Sequence, residues 1–323
     1  MRAPEFWTRK EGFARWIGTL LAPLGWAYGA SVAYKAAHAR SYRASALVIC
    51  VGNLSVGGTG KTPLAIVIAR MLQQSGYRPV FLSRGYGGTQ RGPLLVDTKS
   101  MTAAEVGDEP LLLARHGAVI VARNRRAGAM HAEEMKFDAI VMDDGHQNFA
   151  LDKDLSLVVI DGEQGFGNGR LVPAGPLREP LAQGLERADA VVVVGGSVPD
   201  LGGFRGQVLQ SMLVADCESW RGKRVVIFAG IGRPEKFFAT ARTCGIELAA
   251  CAAFADHHPY TSAELANLAR IARERDAVLL TTEKDYVRLL PEQRKGIGTF
   301  AIEMQLADAK PLEQLITMAR TRS

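Results

Sequence analysis

Cysteine is scarce in this sequence. There are four in 323 residues (Cys50, Cys217, Cys244, Cys251), and none forms a C-x-x-C pair. That spacing supports neither a zinc site nor a disulfide framework, so buried, reduced thiols are expected. No low-complexity tract or internal repeat stands out. With 47% apolar and 22% charged residues, collagen-like and disordered chains are excluded. Beyond residue 43 an excess of either charge is also missing. Arg2, Arg9, Lys10, Arg15, Lys35, Arg40 and Arg43 against Glu5 and Glu11 place +5 of the formal +6 on the first 43 residues. The nearly neutral remainder carries no recognised reader motif, and nucleic acid is not an expected partner.

A plain membrane span is missing as well. Trp16 to Tyr34 is free of charge over 19 residues, close to the roughly 20 that a spanning helix needs. Gly18, Pro23, Gly25, Gly29 and Ser31 dilute it, and Pro23 should kink a helix. Trp16, Trp26, Tyr28 and Tyr34 favour the headgroup region. There is no clear small-x-small cleavage site, so a signal peptide is not expected. The reading is an amphipathic helix or helical hairpin lying in the interface of an anionic leaflet.

What is present is an alternation of short β-rich runs with helical stretches. Ala46–Val51, Pro79–Leu82, Ala118–Ala122, Ala139–Met142, Leu155–Ile160 and Ala190–Val194 read as buried parallel strands. Thr62–Ser75 and Pro110–Arg115 read as helices between them, which is a doubly wound α/β pattern. A second α/β unit follows Trp220, with strands Arg224–Ala229, Glu247–Ala250 and Ala277–Thr281 and helices Pro234–Cys244 and Ser262–Arg275. Gln207–Ala215 and Gly298–Leu306 alternate and are expected to pair as a two-stranded connector about which the domains hinge. The expected divisions are a membrane-associated segment (1–43), a nucleotide-binding domain (44–206), the linker (207–218 and 297–306), a smaller α/β domain (219–296) and a C-terminal helix (307–323).

The first strand runs into Gly52-Asn53-Leu54-Ser55-Val56-Gly57-Gly58-Thr59-Gly60-Lys61-Thr62-Pro63. This is the G-x-x-x-x-G-K-[ST] phosphate loop, with Ser55 at its first position. Gly57, Gly58, Thr59 and Gly60 would turn backbone N–H groups toward phosphates. Lys61 would reach the β/γ-phosphates and Thr62 would ligate Mg²⁺. Asp143 and Asp144 end an apolar strand, the position that holds the metal beside a phosphate loop. On local sequence Asp108 and Glu109 read equally as first-turn carboxylates ahead of Pro110. Phe166–Gly169 and Pro173–Pro180 should be an ordered loop at the carboxyl edge of the sheet, where Arg178 and Glu179 suit phosphate and metal. Arg123, Arg125 and Arg126 fit either a solvated face or a clamp for an anionic substrate. His257 and His258 are adjacent on an extended chain and should point apart, so they should not share a metal.

In their order these pieces resemble the tetraacyldisaccharide 4′-kinase family of lipid A biosynthesis. The matching motifs are VGNLSVGGTGKTP (51–63), SRGYGG (83–88), GDEP (107–110), DDGHQ (143–147), FGNGRLVPAGPLRE (166–179), AGIGRPEKFF (229–238), ADHH (255–258) and TTEKD (281–285). The resemblance implies a P-loop NTPase-type domain, a smaller α/β domain, a two-stranded linker and an N-terminal membrane-interface helix. It implies transfer of the γ-phosphate of ATP, with Mg²⁺, to the 4′-hydroxyl of a tetraacylated glucosamine disaccharide 1-phosphate, forming lipid IVA. The place would be the cytoplasmic face of the bacterial inner membrane, and the expected assembly is a monomer. By motif, Asp108 is the base and His257 pairs with it. Asp143, Asp144, Gln147 and Glu179 serve metal and nucleotide, and Asn53, Arg125 and Arg178 lie on the substrate side. The alternative is a membrane-associated P-loop ATPase switch, but Val56 stands where such switches carry a lysine.

Overall fold

The structure is a computed structural model that describes residues 4–7 and 13–322. Thirteen strands form two sheets: β1 (Leu47–Gly52), β2 (Pro79–Ser83), β3 (Leu94–Leu95), β4 (Ala118–Val121), β5 (Ala139–Asp143), β6 (Leu155–Asp161), β7 (Ala190–Val194), β8 (Gln207–Ala215), β9 (Arg224–Ala229), β10 (Glu247–Ala253), β11 (Val278–Thr282), β12 (Ile297–Phe300) and β13 (Ile302–Leu306). The larger sheet runs β13-β8-β7-β6-β1-β5-β2-β4-β3, and the smaller runs β10-β9-β11-β12. Strands β8 to β4 of the larger sheet are parallel, with β13 and β3 antiparallel at its two edges. The smaller sheet is parallel throughout.

The near-continuous apolar runs have their cause in burial on both faces. On one face Leu64, Ile68 and Leu72 of the helix Lys61–Gln74 pack on Ile49, Val51 and Val141. Leu312 and Ile316 of the C-terminal helix Lys310–Arg322 join them. On the other, Ala129 and Ala132 of the helix Arg125–Glu134 cover Val48, Cys50, Ile140 and Met142. Parallel strands joined by helices bring every strand's carboxyl end to one edge, and the functional loops emerge there.

Two expectations need correction. Gln207–Ala215 does pair with residues 302–306 as expected, but the segment 298–306 is not one strand. Ala301 alone separates β12, which belongs to the smaller sheet, from β13, which pairs antiparallel with β8. Since β8 also pairs parallel with β7, the connector is part of the larger sheet. Its two crossing points are tied where Asp216 N donates to Ala301 O (3.0 Å). The thiols were expected to be reduced, but Cys217 and Cys244 form a disulfide across 27 residues of sequence. The fold brings the entry of the smaller domain beside the end of the helix Pro234–Thr243, a proximity that spacing cannot reveal. Cys50 is buried and Cys251 is exposed.

The N-terminal segment forms two helices, Phe13–Leu20 and Ala22–His38, with Pro23 in the first turn of the second. No helix among the described residues is long and apolar enough to cross a membrane. Arg2, Arg9, Lys10 and Glu11 of the basic cluster lie outside the described residues. The second helix lies on the loop 168–174 through its glycines. A Cβ on Gly25 would stand 3.1 Å from Leu171 O, and one on Gly29 would stand 2.6 Å from Leu171 Cδ1. Its other side leaves Leu24 and Trp26 59% and 71% exposed. Gly25→Leu should therefore lift this helix off the body. Faster hydrogen exchange and proteolysis within residues 22–38, with the core melting unchanged, is the expected result. Unaltered protection there would show that the glycine contact is not what docks the helix.

Candidate active site

The phosphate loop is shaped by backbone strain that only glycine accepts. Gly57 and Gly60 adopt φ of 134° and 94°, conformations that cost other residues about 1–2 kcal/mol. Asn53 is fully buried, and its Nδ2 donates to Ser55 O (2.6 Å) and Thr59 Oγ1 (3.2 Å). It braces the loop from within. Beyond the loop, Lys61 Nζ stands 3.8 Å from Asp144 Oδ1, and Thr62 Oγ1 donates to Asp143 Oδ2 (3.3 Å).

The adjacent acids differ in role. Asp144 Oδ1 and Oδ2 accept from Arg178 Nη1 at 2.8 and 3.0 Å. Burial alone would raise the pKa of Asp144, but Lys61 and Arg178 outweigh it and hold the carboxyl below its ordinary value. Asp143 is 2% exposed, and its Oδ1 finds no hydrogen-bond partner. Burial first, then the charges of Glu109 and Asp144, push it up to about 7 against the pull of Lys61 and Thr62. Gln147 Nε2 donates to Asn53 O and to Glu179 Oε1, both at 2.9 Å, while Arg187 holds the other Glu179 oxygen. Glu179 is 1% exposed with both oxygens engaged. These bonds tie Glu179 and Gln147 to the floor of the phosphate loop, next to Asn53.

On the same domain as the phosphate loop, Asp108 starts the helix Asp108–Leu113 and is 6% exposed. Its Oδ2 lies 2.9 Å from Nδ1 of His257, which belongs to the smaller domain. Lys284 Nζ is 3.9 Å away, and Arg288 donates to the same oxygen from Nε (3.0 Å) and Nη2 (2.6 Å). Burial would raise this carboxyl, but the His257 hydrogen bond and the Lys284 and Arg288 charges carry it far below the usual carboxylate range. His258 turns away to Glu264 (3.0 Å), so the two histidines do point apart. A second contact closes the cleft beside the phosphate loop, where Lys236 Nζ meets Glu163 (2.8 Å) and Arg233 meets Asp161 (3.7 Å).

A family model described as tetraacyldisaccharide-1-P 4′-kinase matches residues 17–320. The chain belongs to this family. The tetraacyldisaccharide 4′-kinase of Paramagnetospirillum magneticum is 49% identical over 310 residues, 94% of each chain. That of Rhodospirillum rubrum is 46% identical over 98% of this chain and 97% of its own. A crystal structure of LpxK from Aquifex aeolicus in complex with ATP superimposes with a TM-score of 0.79 at 26% identity, covering 94% of this chain and 99% of that one.

Within this family frame the arginines after β4 are not a free clamp. Arg125 is 3% exposed, donates to Ala122 O, and has its pKa drawn down to about 10 by burial and by Arg84. Its charge is coupled to Asp143 and Asp144 from within the fold. Arg123 donates to Gly88 O (3.1 Å), and Arg126 covers the Tyr42 ring. Arg178, expected on the substrate side, is committed to Asp144. The residue missed from sequence is Arg288. It stands alone in an apolar stretch, and its only signal is a spacing of three from Asp285.

The orphaned Asp143 oxygen beside the Thr62 hydroxyl fits Mg²⁺, a hard cation that takes oxygen ligands. A carboxyl whose folded pKa exceeds its unfolded value of about 3.9 costs stability as pH rises through that interval, and the cost is complete above about 7. Without divalent cation, Asp143→Asn should melt several degrees above the parent at pH 8. The gap should shrink steadily toward pH 5. Equal melting temperatures at pH 8 would refute the buried, uncompensated acid.

Proposed function

We propose that this chain transfers the γ-phosphoryl group of ATP to the 4′-hydroxyl of a tetraacylated glucosamine disaccharide 1-phosphate, forming lipid IVA. Family membership makes it an ATP-dependent kinase and disfavours the ATPase switch. The single observation that carries the mechanism is the Asp108–His257 pair at 2.9 Å, one partner from each domain. An ionised carboxylate on the phosphate-loop domain, met by a histidine of the smaller domain, supports the reading of a base at the interdomain cleft.

Lys61 and the loop N–H groups neutralise the anionic nucleotide. Thr62 and Asp143 would hold Mg²⁺, which supplies positive charge to the phosphates when bound. Asp108 accepts the proton of the 4′-hydroxyl as that oxygen bonds to phosphorus and the bond to ADP breaks. The cations around Asp108 make it a weak base. A loose phosphoryl transfer asks little activation of its nucleophile, so alignment matters more than basicity. His257 orients Asp108 and takes up the proton's charge nearby. Closure of the smaller domain excludes water, the competing acceptor.

The proposal extends to the membrane. Trp16, Leu20, Trp26 and Tyr34 are 75%, 80%, 71% and 65% exposed on a segment that also carries Lys35, Arg40 and Arg43. Such a surface suits the anionic interface at the cytoplasmic face of the inner membrane. An apolar groove of about 640 Å³, lined by Pro23, Trp26, Phe166, Leu171, Leu177 and Leu181, has room for an acyl chain.

With γ-labelled ATP and the lipid disaccharide, label should enter lipid, and label in free phosphate alone would favour the switch. Lys61→Ala and Asp108→Ala should each lower kcat by about 10²–10⁴-fold, with Asp108→Ala retaining ATP binding. An Asp108→Ala enzyme of near-normal turnover ends the base assignment. Changing Trp16, Leu20 and Trp26 together to glutamate should move the protein from pelleted anionic vesicles to the supernatant. Undiminished pelleting would remove the interface assignment.

A further inference from the structure

Arg288 is 6% exposed, and a buried guanidinium must satisfy its donors. Its donors are divided between two domains. Nη1 donates to Asp285 Oδ1 and to Gly230 O, both at 2.7 Å within the smaller domain. Nε and Nη2 cross the cleft to Asp108 Oδ2. Asp285 is the anchor. It is fully buried, and its Oδ1 also accepts from Tyr260 OH (2.9 Å) and Gly230 N (3.0 Å). Its Oδ2 accepts from Thr282 Oγ1 (2.6 Å). Gly230 follows β9 and Thr282 ends β11, so the carboxyl edge of the smaller sheet presents this arginine.

We propose that Arg288 is a positioning residue that locks the smaller domain onto Asp108 and fixes which carboxylate oxygen faces the acceptor. The inference rests on the reading of Asp108 as the group that takes the hydroxyl proton. Oδ2 is saturated by Arg288 and His257. Among the described residues Oδ1 accepts only from Glu109 N of its own helix (3.0 Å), so it is the oxygen left for the substrate hydroxyl. His257 is 42% exposed on a loop with φ of 59°, and alone it would be a single-point contact about which the carboxylate can turn. The rigid guanidinium, held at its far end by Asp285, removes that freedom. Nothing in this network touches the phosphate loop, so ATP binding should not depend on it.

The test compares Arg288→Ala, Arg288→Gln and Arg288→Met in the full-length enzyme. Arg288→Ala should lose about 10²-fold in kcat while KM for ATP stays within about twofold. Millimolar guanidinium should restore part of kcat to Arg288→Ala but none to Arg288→Met, whose side chain fills the space. A merely structural residue would show no such selective rescue. Arg288→Gln keeps a donor for the Asp285 side and gives up the fork on Asp108. It should be as slow as Arg288→Ala while melting above it, so the question stays decidable if the alanine variant folds poorly. Parental kcat in Arg288→Gln, or a loss indifferent to guanidinium with KM for ATP rising in parallel, overturns the proposal. Asp108→Asn separates the two levels. If it is inactive while Arg288→Gln is fully active, the latch fails and the base stands. If Asp108→Asn is fully active, the base reading fails and the latch with it.

Discussion

A carboxylate taken out of water needs cations beside it. Asp108 is such a carboxylate, and the cations come from the other domain. His257, Lys284 and Arg288 all belong to the smaller sheet's loops, and all converge on one oxygen. The catalytic geometry and the docking of the two domains are therefore one interaction. Separating the domains would hydrate Asp108 and free its carboxylate, so its burial and its orientation depend on the same contacts. Because the folded pKa lies below the unfolded one, this contribution is present at neutral pH and is lost on acidification.

The rest of the fold serves that convergence. Two parallel sheets each send their carboxyl ends toward the cleft, one bearing the phosphate loop and Asp143, the other Gly230 and Thr282. They meet because the chain crosses between them at two adjacent points, Asp216 and Ala301. The connector is built from the last two strands at one side of the larger sheet, β8 and β13. The charge pairs Lys236–Glu163 and Arg233–Asp161 are exposed and weak individually. The buried Asp108 cluster is what gives the closed arrangement a definite geometry.

Legibility from sequence followed the range of the physics involved. The phosphate loop was readable because its glycines answer a local backbone requirement. The strands were readable because burial on both faces leaves continuous apolar runs. The pairing of Asp108 with His257 across 149 positions of chain came from the family resemblance and not from spacing. The Cys217–Cys244 bond and the break at Ala301 depend on which elements become neighbours, which no local pattern encodes. Asn53, Glu179 and Arg125 were polar residues in functional motifs and read as ligand-facing. Tertiary packing buries each of them and commits it to hydrogen bonds within the protein, which the local sequence does not show. Arg288 failed in the opposite direction. An isolated arginine among Tyr286, Val287, Leu289 and Leu290 resembles a surface residue until Asp285 beneath it is known to be buried.

The two adjacent acids show how one strand end serves two chemistries. Asp144 adopts φ of 52°, which turns it out of line with Asp143 and toward Arg178 and Lys61. Its charge is neutralised within the protein, and it holds the Lys61 side chain near the phosphate loop. Asp143 keeps the extended strand path and stays buried with an oxygen that no protein group meets. A protein selected only for stability would pair or replace that oxygen, since an uncompensated buried acid is among the costlier features a core can carry. Beside the Thr62 hydroxyl, that oxygen is the part of the strand end whose chemistry suits a hard cation, so the acid that costs the fold most is also the one best suited to nucleotide-linked charge.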